Sequence, residues 1–184
     1  MTDRRRLGWV LAGRGAYVRL VRHHLVGVDG PIVRDRLHHP GSVVIVPMVD
    51  DDVLLLQQWR ESVGTELLEA PAGLREPGEA AEAAAARECE EEVGHRPGRL
   101  IPLGNWHASP GISDETMAVF VAGGLTATQR RPDGPEERDA TVVRLPLTEA
   151  VDMAASGRIP DLKTTAALLA AAERLRRTTP MDGG

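Results

Sequence analysis

Between Gly73 and Gly94 the chain carries the feature that most restricts what it can become: a turn-forming loop, an alanine-rich run and a tight block of acids in one continuous stretch. Gly73-Leu74-Arg75-Glu76-Pro77-Gly78-Glu79 reads as the loop, and Ala80 to Ala86 has strong helix propensity. Gly94 stands where the charges stop and is placed to end the helix. Side chains three and four apart share a helix face, so Glu88, Glu91 and Glu92 form an oxygen-rich cluster. Arg87 sits one turn before Glu91 and can pair with it. Such a cluster suits a hard cation, and Mg²⁺, which takes octahedral oxygen ligation from a few carboxylates plus substrate phosphates, fits better than zinc or copper. By composition alone a glutamate run on an alanine helix is a solvated face. The spacing is what argues for a site.

Composition narrows the class. A chain of 184 residues can build one full domain with a small appendage, and 42% hydrophobic residues can fill its core. Because only 3% of the residues are aromatic, that core must rest on Val, Leu, Ile and Ala. The net charge of −5 leaves no basic surplus for nonspecific nucleic-acid binding, and Arg4-Arg5-Arg6 reads as a solvated terminus. A single cysteine excludes an intrachain disulfide and agrees with a reducing compartment. No apolar run approaches membrane-spanning length and no leader with a cleavage site is evident, so the expectation is a cytoplasmic protein.

Residues 1–40 alternate short apolar stretches with charge, as in Tyr17-Val18-Arg19-Leu20-Val21 and Ile32-Val33-Arg34, and read as a small antiparallel β domain. Pro40-Gly41 breaks the pattern, and the main domain is expected over 41–184. Val43 to Val46 and Val53 to Leu56 read as a hairpin, Leu100 to Leu103, Met117 to Val121 and Thr141 to Leu145 as further strands, and Arg130 to Arg138 as a polar loop. Two helices are expected to close the chain, one over Leu147 to Ala155 and one running to Arg177 behind Asp161 as its N-cap. Neighbouring side chains in strands point apart, so the pairs His23-His24 and His38-His39 read as exposed histidines rather than a metal site. Gly13-Arg14-Gly15 lacks the third glycine of a dinucleotide fingerprint. Cys89 sits inside the acid run, which raises its thiol pKa and opposes a nucleophilic role.

Gly73, five residues, Glu79, seven residues, Arg87-Glu88, two residues, Glu91-Glu92, one residue and Gly94 together resemble the box of the Nudix hydrolases, with every charged and glycine position filled. The departures are Cys89 and His95, where that family usually shows an aliphatic residue. Gln58-Trp59-Arg60, Glu69-Ala70-Pro71-Ala72-Gly73 and Ser109-Pro110-Gly111-Ile112-Ser113-Asp114-Glu115 resemble the ADP-ribose pyrophosphatase branch, whose marker proline corresponds to Pro110, fifteen residues past the box end at His95.

The resemblance implies an α/β/α sandwich with a mixed sheet, preceded by the small N-terminal β domain, which in this branch commonly helps to build a homodimer. It implies Mg²⁺, with Mn²⁺ as a possible substitute, held by Glu88, Glu92 and the Ala72 carbonyl, with Glu91 as a further ligand or a contact to metal-bound water. Glu79 and Arg87 would hold loop and helix together. A general base would come from the loop 133–139, where Glu136 and Glu137 are the candidates. Arg60, Glu69, Trp59, Ser109 and Gly111 would contact the substrate, with Trp59 either stacking on a base or packing in the core. The reaction implied is hydrolysis of ADP-ribose to AMP and ribose 5-phosphate. Another nucleoside-diphosphate sugar or dinucleotide is the nearest alternative substrate, and a catalytically silent nucleotide sensor is the alternative of a different class.

Overall fold

The computed structural model describes residues 6–178, with the side chains of Arg6, Pro135, Glu136 and Thr178 outside the described part; Arg4 and Arg5 also lie outside it. The chain opens with three antiparallel strands in the order β1 (Arg6–Arg14), β2 (Arg19–Gly27), β3 (Gly30–His38). Along β2 the pleat buries Val21 and His23 while Arg22 and His24 face out. His23 thereby departs from the expectation of exposed histidines: two-residue alternation turns one member of the pair inward. His38 is half-buried, with Nδ1 2.8 Å from Asp114 Oδ2. Leu37 joins this sheet to the rest of the molecule, its N–H donating to the Ile112 carbonyl and its own carbonyl accepting from Asp114 N–H.

The remaining elements follow as β4 (Ser42–Val49), β5 (Asp52–Arg60), β6 (Thr65–Glu69), β7 (Ala72–Leu74), α1 (Ala81–Val93), β8 (His95–Arg96), β9 (Arg99–Trp106), β10 (Met117–Gly123), β11 (Thr126–Ala127), α2 (Pro135–Asp139), β12 (Thr141–Pro146), α3 (Leu147–Ala155) and α4 (Leu162–Thr178). Seven strands form one mixed sheet, in the order β12-β5-β4-β10-β9, with β6 added to β5 and β7 to β4. Only β10 and β4 run parallel within it; the other pairs are antiparallel. β8 and β11 pair separately.

Period-two alternation sorts the apolar side chains of the central strands into two cores. Val43, Ile45, Leu54, Leu56, Ala118, Phe120 and Ala122 pack against Ala84, Ala85, Cys89 and Val93 of α1. Their alternates Val44, Val46, Val53, Leu55, Met117, Val119 and Val121 pack against Ala150 and Ala154 of α3 and Ala167, Leu168 and Ala171 of α4. The result is an α/β/α sandwich whose core is aliphatic, as the composition requires. Each fully buried Val, Leu or Ile contributes about 1.5–3 kcal/mol relative to exposure, so the two faces carry most of the stability. Burial pushes the Cys89 thiol up to about 12, with Glu92 and Glu90 adding to it.

The expected hairpin, strands and closing helices are present, the penultimate helix with the expected bounds. Asp161 caps α4 by accepting from Thr164 N–H at 3.0 Å. Arg130 to Arg138 is not loop throughout, because Pro135 occupies the first turn of α2, where its fixed φ and missing N–H are tolerated.

Candidate active site

The box begins at β7 and ends where Gly94 adopts φ 68°, its N–H reaching the Cys89 and Glu90 carbonyls. That left-handed turn closes α1 at the residue the sequence pointed to. Arg87 ties the helix to the preceding loop. Its Nε donates to Glu79 Oε1 at 3.0 Å, its Nη2 to the Leu74 carbonyl at 3.0 Å and to Glu79 Oε2 at 3.1 Å, and its Nη1 to Glu88 Oε1 at 2.7 Å and Glu91 Oε2 at 2.9 Å. Glu79 holds the loop in turn, accepting from Glu76 N–H at 2.9 Å, while its carbonyl accepts from Arg75 at 2.6 Å. The bridge to Arg87 keeps the Glu79 carboxyl below the usual range.

Glu88 and Glu92 are both buried, one helical turn apart on the face that meets β7. Burial pushes Glu88 up to about 7, opposed by Arg87 and reinforced by Glu91 and Glu137. Burial and then the charge of Glu88 push Glu92 up to about 8, opposed by the Ala72 N–H, which donates to Glu92 Oε2 at 2.9 Å. Glu88 lies directly on the Cα of Gly73; a Cβ there would overlap the carboxyl group. Two buried carboxylates one helical turn apart, with Glu88 raising the pKa of Glu92, form a donor set whose repulsion a divalent cation would offset, and all-oxygen donors fit a hard ion. Among the described residues no group of three or more His, Cys, Asp or Glu side chains already converges to hold an ion. In this arrangement Arg87 holds Glu88 and Glu91, and Glu92 is turned to the backbone of β7.

A cavity of about 320 Å³ opens beside this face, lined by Tyr17, Gln58, Arg60, Ala72, Glu92, Gly134 and Glu137. It gathers residues from the β1–β2 connection, β5, β7, α1 and the α2 segment. Glu137 reaches it because Arg130 latches the loop to the helix end: Nε donates to the Glu92 carbonyl, Nη1 to the Ala140 carbonyl and Nη2 to the Glu137 carbonyl. Glu137 Oε2 accepts from Asp133 N–H at 2.8 Å. The Glu136 side chain is outside the described part.

Of the expected substrate contacts, Arg60 lines the cavity, while Glu69 lies behind it, 1% exposed, accepting from Arg60 Nε at 2.8 Å and Nη2 at 2.9 Å. Trp59 neither lines the cavity nor joins the core. It is 47% exposed and its Nε1–H donates to Glu61 at 2.8 Å, because alternation along β5 sends Gln58 and Arg60 one way and Trp59 the other. Ser109 and Gly111 sit exposed in the turn before β10, off the cavity wall; the Ser109 carbonyl accepts from Ile112 and Ser113 N–H. Sequence reasoning missed Tyr17, Gln58 and Arg130. Gln58 carried a signal, since two-residue alternation places it beside Arg60; Tyr17 and Arg130 are brought in by tertiary packing alone.

Buried carboxylates, an arginine and a latched acidic segment thus meet at one cavity. The NUDIX domain family matches residues 38–168. The chain is 31% identical over 136 residues to an ADP-ribose pyrophosphatase of Bacillus subtilis (strain 168), covering 73% of this chain and 74% of that one. It is 36% identical over 143 residues to an ADP-ribose pyrophosphatase of Mycobacterium tuberculosis (strain ATCC 25618 / H37Rv), covering 77% and 69%. A crystal structure of an ADP compounds hydrolase superposes with a TM-score of 0.85 at 25% identity, covering 97% of both chains. The protein belongs to the Nudix family and is a Nudix hydrolase.

Gly73→Ala tests the packing of Glu88 on β7. The added methyl should displace the carboxylate at a cost of about 1–3 kcal/mol of stability, the range for overpacked interiors, and weaken activation by divalent cations. Thermal unfolding and a cation titration of turnover check it; native values of both would show that Glu88 does not need that contact.

Proposed function

We propose that this protein hydrolyses the diphosphate of ADP-ribose to AMP and ribose 5-phosphate with Mg²⁺ as cofactor and Mn²⁺ as a substitute. The observation that carries the reading is the convergence of Glu92, Ala72, Arg60 and Glu137 on one cavity. The names of the two relatives support the choice of substrate. Glu88 and Glu92, with Glu91 and the Ala72 carbonyl, would hold the cation, which when bound offsets charge on the diphosphate and lowers the pKa of water. Arg60 meets the anionic diphosphate with a fixed guanidinium. Tyr17, 72% exposed on the cavity wall, offers an aromatic face for the base or sugar. Glu137 accepts the proton of the attacking water; the water oxygen bonds to phosphorus, and the bridging P–O bond breaks to give the two monophosphates. An intact acid set argues against a silent sensor, which has no need of buried, mutually repelling carboxylates.

We also assign residues 1–40 to an N-terminal β domain that joins two copies of the chain. Leu7, Trp9, Val10 and Leu11 of β1 are each 47–64% exposed, an apolar edge that a second copy would cover. No helix among the described residues is long and apolar enough to cross a membrane.

The purified protein, incubated with Mg²⁺ and ADP-ribose, other nucleoside-diphosphate sugars, NADH or diadenosine polyphosphates, should release AMP and ribose 5-phosphate from ADP-ribose with the highest kcat/KM, as identified by product mass. A higher kcat/KM elsewhere in the panel would reassign the substrate, and no turnover on any member would favour the sensor.

Glu92→Gln keeps the size of the side chain and removes the charge. Turnover should fall by at least about a hundredfold with a native circular dichroism spectrum, a loss at the top of the range for disturbed metal sites. Wild-type kcat at saturating Mg²⁺ would remove Glu92 from the ligand set. Glu137→Gln should lower kcat about a hundredfold, as for loss of a general base, while the Mg²⁺ concentration for half-activation changes far less. Near-normal kcat in this variant passes the role to Glu136, and near-normal kcat in the double variant to Glu91 or Glu115.

A further inference from the structure

Glu69 is 1% exposed, and its carboxylate is shared by two cations that stand far apart in the chain. Arg60 on β5 grips both oxygens in the bidentate geometry described above. Lys163, in the first turn of α4, donates to Oε2 from the other side. Lys163 also stands 2.9 Å from Asp161, the residue that caps α4. The four charges form an alternating row: Arg60 at the cavity wall, Glu69 buried behind it, then Lys163, then Asp161 at the helix N-terminus. The negative end of the row meets the positive end of the α4 dipole, and the positive end faces the cavity. Thr164 fixes the same junction, its hydroxyl accepting from the buried Ala70 N–H at 2.8 Å while donating to Asp161. Ala70 lies between Glu69 and the Pro71-Ala72 segment on the cavity wall, so the start of α4 is fastened to the backbone that carries the site.

We propose that Lys163 is a positioning residue for substrate binding: through Glu69 it holds the Arg60 guanidinium in the orientation in which it meets an anionic substrate. The inference rests on the reading of Arg60 as a diphosphate contact. Burial alone would raise the Glu69 pKa, yet Arg60 and Lys163 together hold it below the usual range, which keeps the anion that both cations need. Bidentate gripping fixes the plane of the guanidinium, and a partly buried ion pair is screened less by salt than an exposed one.

Lys163→Met keeps an extended stem and removes the charge. It should raise KM for ADP-ribose about fivefold, the size of coupling expected between charges sharing one buried partner, with kcat within about twofold of wild type. Lys163→Arg should restore KM. In an Arg60→Ala background Lys163→Met should add nothing further, because the residue through which it acts is gone. Should Lys163→Met fold poorly, Lys163→Gln, which keeps a hydrogen bond to Glu69 without the charge, makes the same comparison. An unchanged KM in the neutral variant, or an equal rise in the Arg60→Ala background, overturns the role of Lys163. If Arg60→Ala raises KM while the Lys163 variants do not, that role falls and the proposed function stands. If Arg60→Ala itself leaves KM unchanged, the substrate contact fails first and the role of Lys163 with it.

Discussion

The loop and helix that make up the box depend on one guanidinium. Arg87 bonds the loop through Glu79 and the Leu74 carbonyl, and the helix through Glu88 and Glu91, so the glycine-rich turn and α1 cannot move apart without breaking several charge-assisted bonds. Without it, acids drawn together by helical periodicity would repel one another beside a loop with little reason to stay. A half-buried cation with four partners is costly to disturb, since removing it leaves the buried Glu88 carboxylate without its partner. The spacing from Glu79 to Arg87 to Glu91 is therefore a mechanical requirement as well as a family signature.

Much of this was legible because it is local. The alanine run, the acid block and Gly94 lie on one element, and rules of period 3.6 with a glycine cap place them with no knowledge of the rest of the chain. The two cores were legible for the same reason, since strands such as Val43 to Val46 alternate strictly between faces. Asp161 was readable as a cap because the Thr164 N–H it satisfies is three residues away.

What stayed hidden is what distance in sequence conceals. Tyr17 arrives on the cavity wall from a connection outside the Nudix match, and Arg130 acts through three backbone carbonyls that no residue pattern records. Trp59 shows the opposite failure. Its neighbourhood resembled a binding motif, but the alternation that puts Arg60 in the cavity sends the residue beside it to solvent. Glu69 was visible as a charged residue at the right place, yet its burial between Arg60 and a lysine of the last helix follows only from packing.

The connection that brings Tyr17 to the cavity also carries Arg14 and Arg19 at its two ends. Among the described side chains of the small sheet and its turns, Arg14, Arg19, Arg22, Arg34 and Arg36 stand against Asp29 and Asp35, in a chain whose net charge is −5, so this part is basic while the rest of the chain is acidic. A polyanion approaching the molecule therefore meets a field with direction, repelled over the acidic bulk and drawn toward the basic strands that border the opening. Such a field shapes the rate of encounter more than the strength of the final complex, and it weakens as salt is added. The small sheet at the start of the chain thus extends the reach of the site well past its walls.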